Sequence, residues 1–186
     1  MSELPETITM SIELPCEEFV REYVDTERFL ACCKECRNYG LKWSCPPYDF
    51  DPNDIWRSFN TVLIYAKKVL LPKEETEKLR TPKELAEVYE SLLRPVRNVM
   101  ASELIKMEGE DPNSLALFAG GCDICAECTR PMGLPCRAPS VMRYSVESLG
   151  GNVIKCVNEL LHEEILWAEN GRLPKHYVLL GALLKK

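Results

Sequence analysis

The distribution of ten cysteines constrains this chain more than any other feature of its sequence. Cys32, Cys33, Cys36 and Cys45 form one group, Cys122, Cys125, Cys128 and Cys136 form another, and Cys16 and Cys156 stand apart. Cysteines bunched at short intervals in a reducing compartment serve as metal ligands or reactive thiols more often than as disulfides. The two histidines, His162 and His176, lie in neither group, so a mixed Cys/His site would have to recruit them from far along the chain. Histidines so isolated read as structural or solvated.

A chain of 186 residues with 46% hydrophobic content can bury a respectable core without help from metal, which points to a single domain over 1–186. The net charge of −6, with no block of Lys or Arg, argues against nucleic acid as a partner. No leader-like pattern opens the sequence, and no apolar run approaches the ~18 residues a membrane span needs, so the expectation is a cytoplasmic protein without membrane contact. A phosphate-binding loop, a nucleophile elbow and a His-Glu-x-x-His element are all missing, which leaves nucleotide hydrolysis and zinc proteolysis without support.

Ile8, Met10, Ile12 and Leu14 alternate with polar residues, the pattern of a strand with one wet face that Pro15 ends. Two short helices follow from Glu17 to about Cys36, divided by Asp25 as an N-cap, and the first cysteine group begins where the second of them ends. Cys45-Pro46-Pro47 and Asp51-Pro52 favour extended, rigid backbone. Thr61 to Leu71 predicts a buried strand, with Lys67 and Lys68 marking its emergence into solvent. Thr81-Pro82-Lys83-Glu84 combines an N-cap, a proline at the first helical position and a capping-box glutamate; the helix it opens should kink at Pro95 and stop at Gly109. Leu115 to Ala119 predicts a short strand leading into the second cysteine group, and a helix should run through about Leu161, before a hairpin turning at Asn170-Gly171. The expected fold class is α+β: a small, mainly antiparallel sheet packed on the long helix, with cysteine-rich metal-binding loops at one edge.

Gly-Gly-Cys122-x-x-Cys125-x-x-Cys128, then Cys136 with Pro139 nearby, is the stronger motif. Two-residue gaps let successive thiolates converge while backbone N–H groups turn toward sulfur, the arrangement of ferredoxin-type [4Fe–4S] loops. Zinc also accepts four thiolates, but structural zinc sites usually pair two separated Cys-x-x-Cys knuckles, so the spacing favours the cluster. The first group offers Cys33, Cys36 and Cys45. Its fourth ligand is open: Cys32, which adjoins Cys33 awkwardly, Cys16, Cys156, a cysteine of the second group, or an exogenous ligand. The two groups could also meet in space. Arg137, Arg143, Ser145 and Glu147 follow the second group and could hydrogen-bond sulfur or an anion, or serve as ordinary helix caps.

Cys33-x-x-Cys36, Tyr39, Trp43 and Cys45-Pro46-Pro47, followed by Gly120-Gly121-Cys122, Gly133, Pro135-Cys136-Arg137, Pro139, Ser145-x-Glu147 and Gly150, resemble the small bacterial and archaeal proteins catalogued as predicted metal-binding proteins of unknown function. The resemblance implies a ligand role for Cys33, Cys36, Cys45, Cys122, Cys125, Cys128 and Cys136, and no particular substrate. Where that family usually continues with an Ala-x-Gly-Ile-Asp-Val-like run, this chain has Ser148-Leu149-Gly150-Gly151-Asn152-Val153.

The leading expectation is an iron–sulfur protein that holds one or two [4Fe–4S] clusters and that transfers electrons or assists a partner redox enzyme, as a monomer or a homodimer. The alternatives are a zinc-stabilised adaptor and an enzyme whose incompletely ligated cluster binds substrate.

Overall fold

The computed structural model describes residues 4–186. Four strands, β1 (Thr7–Pro15), β2 (Thr61–Leu70), β3 (Leu115–Leu117) and β4 (His176–Lys185), form one antiparallel sheet in the order β1-β2-β4-β3. The helices are α1 (Cys16–Tyr23), α2 (Thr26–Lys34), α3 (Pro52–Arg57), α4 (Lys73–Glu77), α5 (Pro82–Glu110) and α6 (Val153–Leu160). The α+β expectation holds, with the 29-residue α5 against the sheet.

Both faces of the two central strands are covered, and this explains why they lack a polar face. Val62, Ile64 and Ala66 of β2, with Leu180, Ala182 and Leu184 of β4, pack on Phe19, Trp56, Leu149, Cys156 and Val157. Their neighbours Tyr65, Val69, Leu179 and Leu183 point to the other face, onto Leu93, Val96, Met100 and Leu104 of α5. Alternation disappears where a strand is buried on both sides, so β2 and β4 read as near-continuous apolar runs. The edge strand β1 keeps its alternation, yet only Leu14 is fully buried and Ile8 and Ile12 are exposed, because nothing covers the outer part of its apolar face.

The helix signals at α2 and α5 are realised in detail. The Asp25 carboxylate accepts from Arg28 N–H, and Thr81 and Glu84 form the reciprocal capping box. The helix runs through Pro95 and ends one residue past Gly109, its last turn fixed by Glu108, which takes Ala116 N–H at 2.9 Å and the Arg143 guanidinium.

Other expectations need correction. Lys67 does not emerge into solvent: it is 6% exposed, and its ammonium is held by Glu103 of α5 and Thr9 of β1. Lys68, on the opposite face, pairs with Glu163 at 2.7 Å. Each lysine buries its stem and meets a carboxylate from the layer packed over it. The segment after Asp51-Pro52 turns helical as α3, because Asp51 caps it and Pro52 suits its first turn. The short helix α4 carried no sequence signal beyond Pro72 before a charged run. The Asn170-Gly171 turn exists, with both residues at positive φ and a bridge between Glu169 and Arg172, but residues 162–168 form no partner strand. β4 instead finds its neighbours in β2 and β3, which bury it on both faces.

Candidate metal centre

The loops that carry the two cysteine groups meet. The first begins at the end of α2. There the N–H groups of Glu35, Cys36 and Tyr39 bond to carbonyls three residues back, and Asn38 N–H points at the Cys36 sulfur at 3.5 Å. The chain then turns through Gly40, in the left-handed region at φ +70°, whose N–H bonds to the Pro46 carbonyl at 2.7 Å. The second group leaves the sheet at β3: Phe118 bridges Ser145, Gly120 turns at φ +75°, and the loop closes through Thr129, whose hydroxyl donates to the Pro135 carbonyl at 2.8 Å.

Four side chains stitch the loops together. Lys42 donates to the Cys122 carbonyl at 3.1 Å and pairs with Asp123 at 2.5 Å. The buried Ser44 hydroxyl accepts Cys122 N–H at 3.0 Å. Arg130, from the second loop, donates to the Lys42 carbonyl at 2.7 Å and to those of Cys45 and Pro47, and its guanidinium lies 5.4 Å from the Trp43 ring centroid. Trp43 returns the contact by donating to the Leu134 carbonyl at 3.2 Å. A Cβ added at Gly121 would sit 3.8 Å from the Cys45 sulfur, so this glycine is where one loop's backbone closes on the other's thiol. The sequence left open whether the groups converge; the loops form one body.

The electrostatics favour thiol over thiolate while no metal is bound. Burial, followed by the nearby Cys36 and Cys45, lifts Cys33 from its ordinary value to about 11. Burial also raises Cys45, against the opposing pull of the Ser44 hydroxyl and Lys42. Cys122 is raised by burial too, moderated by the Ile124 N–H and by Lys42. A thiol so placed loses its proton when a metal takes it.

The remaining sequence candidates sort cleanly. Cys16 and Cys156 are core thiols: Cys16 donates to the Trp56 carbonyl at 3.2 Å, and burial pushes Cys156 up to about 12. Cys32 is exposed on α2. His162 sits exposed at positive φ after α6, and His176 is buried with Nε2 3.0 Å from the Glu164 carbonyl. Arg143 grips Glu108 with both arms of its guanidinium and reaches the carbonyls of Ser140 and Met142, a structural clamp. Ser145 and Ser148 cap each other reciprocally. Arg137 is exposed. The acidic position that the family resemblance led one to expect holds Asn152, which caps α6 by accepting Lys155 N–H at 3.0 Å; Asn and Asp cap equally well.

Sequence reasoning missed the roles of Lys42, Ser44 and Arg130. Their signal was only position, between or beside cysteines, and their partners lie about eighty residues away.

The donor set is entirely thiol, and none of the ten cysteines is in a disulfide. Among the described residues, no three His, Cys, Asp or Glu side chains converge as the ligands of a single ion would. A cubane distributes its thiolates over different irons, so its ligands need not meet at one point. The structure is thus an α+β protein in which two cysteine-bearing loops join. A family model described as predicted metal-binding protein (DUF2284) matches residues 20–184, and the chain belongs to that family. No curated protein and no solved structure matches the chain.

Proposed function

We propose that the metal of this metal-binding protein is an iron–sulfur cluster and that its task is electron transfer, directly or as accessory to a partner redox enzyme. Cys122, Cys125, Cys128 and Cys136 would hold a [4Fe–4S] cluster, and Cys33, Cys36 and Cys45 a second cluster or a labile metal. The observation that supports this reading is the interlocking of the two cysteine-bearing loops through Lys42, Ser44 and Arg130, which sets cations and backbone N–H groups beside thiols that are in no disulfide. Hydrogen bonds and positive charge beside sulfur stabilise an anionic cluster. The same loops expose Leu41, Ile124, Met132 and Leu134, apolar side chains suited to docking a partner protein.

The test is iron, acid-labile sulfide and zinc per chain, with a visible spectrum, on protein purified without oxygen. About four irons with equal sulfide fit one cubane, and about eight fit two. Stoichiometric zinc without iron overturns the redox reading in favour of an adaptor. A substrate-binding cluster is the second reading, favoured by the cavity that the cysteine loops wall.

A further inference from the structure

A cavity of about 770 Å³ lies between α5, β4 and the cysteine loops, a size that suits a small molecule. Two buried side-chain atoms among the described residues lack any hydrogen-bond partner, Arg97 Nε and Glu147 Oε2, and both residues line this cavity. Arg97 also stands in the wall of a smaller neighbouring cavity. Buried polar groups are nearly always satisfied, so an unpartnered atom on each of two lining residues singles out Arg97 and Glu147 in this wall.

The charges around the cavity indicate which partner. Arg37, Lys42, Arg94 and Arg97 gather at the α5 end, where only Glu90 and Asp123 oppose them. Glu90 is shared by three arginines, and Asp123 by Lys42 and Arg97, which leaves that end positive. Glu147 follows the bridge at Ser145, and burial pushes its carboxyl up. Between these polar groups the wall is apolar, with Phe29, Leu93, Tyr177 and Leu179, and Trp167 stands 66% exposed beside it.

We propose that this cavity binds a small organic anion with an apolar body and a hydrogen-bond donor, its anionic head on Arg97 and its donor on Glu147. No cysteine lines the cavity. Lys42 of the first cysteine loop and Gly121 of the second both stand in its wall, which sets the bound molecule beside the junction of the two loops.

Two fluorescent probes test it on the protein as purified with its metal. Anilinonaphthalene sulfonate carries a sulfonate, an aromatic body and an N–H; N-phenyl-naphthylamine is the same molecule without the sulfonate. The native protein binds the sulfonate at one site per chain and more tightly than the neutral probe. Arg97→Met weakens the sulfonate about tenfold, the scale of one buried charge-assisted hydrogen bond, and leaves the neutral probe unchanged. Glu147→Leu weakens both probes. Arg94→Met, at an exposed position, weakens the sulfonate alone by roughly twofold to threefold, in keeping with a partly screened charge. Equal affinity for the two probes, many weak sites, or sulfonate binding indifferent to both arginine substitutions overturns the proposal. Metal content measured on the same samples reports separately on the cysteine site.

Discussion

At the scale of single residues, the cysteines are distinguished by their surroundings more than by their number. Cys16 and Cys156 sit in the same core as Phe19 and Trp56, where a thiol behaves as a small apolar side chain. Cys125, in contrast, is half-buried on the second cysteine loop, outside both core clusters. Cys125→Ser is expected to abolish iron and sulfide retention, whereas Cys156→Ser should keep both and lower stability by about 1–3 kcal/mol for the hydroxyl it buries; elemental analysis and thermal unfolding measure the two effects. The pH dependence follows from the raised thiols. Cys33, near 11, is protonated at neutral pH until metal displaces the proton, so metal affinity must fall as pH falls and rise as pH rises. Competition with a chelator at pH 6, 7 and 8 should show release easiest at pH 6. Arg130 is the residue that most directly links the loops, since it satisfies three backbone carbonyls across them. Arg130→Met should leave the fold intact and speed metal loss to a chelator by about tenfold or more, given that a hydrogen bond from a charged group contributes roughly 1.5–3 kcal/mol.

At the scale of elements, the cysteine loops are aimed by anchors set behind them. The Asp25 N–H bonds to the Gly150 carbonyl at 2.9 Å and Asn152 N–H to the Tyr23 carbonyl at 2.7 Å, which seats the start of α2 on the turn that carries Glu147. Gly150 is at φ +90°, and a Cβ there would lie 2.6 Å from Thr26 Cα. Gly150→Ala combines a strained backbone with a clash against backbone, so a loss of about 2–4 kcal/mol in denaturant unfolding is expected. The Glu108–Arg143 clamp ties the end of α5 to the loop beyond the second cysteine group, with both side chains at 15% exposure or less. Glu108→Gln strands the guanidinium and weakens the acceptor for Ala116 N–H; a loss near 3 kcal/mol is expected, because removing one member of a buried pair leaves the other charge uncompensated.

At the scale of the whole molecule, the core and the cysteine site are separable. The clusters on the two faces of the sheet contain none of the seven proposed ligands. Stripping the metal should therefore preserve the far-ultraviolet circular dichroism of the α+β fold and make segments 33–45 and 120–140 susceptible to protease. Loss of all secondary structure on chelation would show that metal holds the core as well. Among the described residues, no helix is long and apolar enough to cross a membrane.

The sequence by itself determined the local structure wherever a local signal dictates the backbone: the capping box of α5, the Asp25 cap between α1 and α2, the β2 and β4 runs, and the Asn170-Gly171 turn. It also displayed the two cysteine groups and the family they resemble, since ligand spacing is a short-range property. Tertiary structure decided everything that needed a partner distant in the chain. Lys67 looked like a solvent marker because its carboxylate partner, Glu103, is 36 residues away on another layer. The joining of the two cysteine loops rests on Lys42, Ser44 and Arg130, ordinary polar residues until the fold sets them opposite one another. That Arg97 Nε and Glu147 Oε2 lack a partner, and that both residues stand in one cavity wall, became visible only in the fold, because the absence of a partner is a property of the packed molecule and has no trace in the spacing of residues.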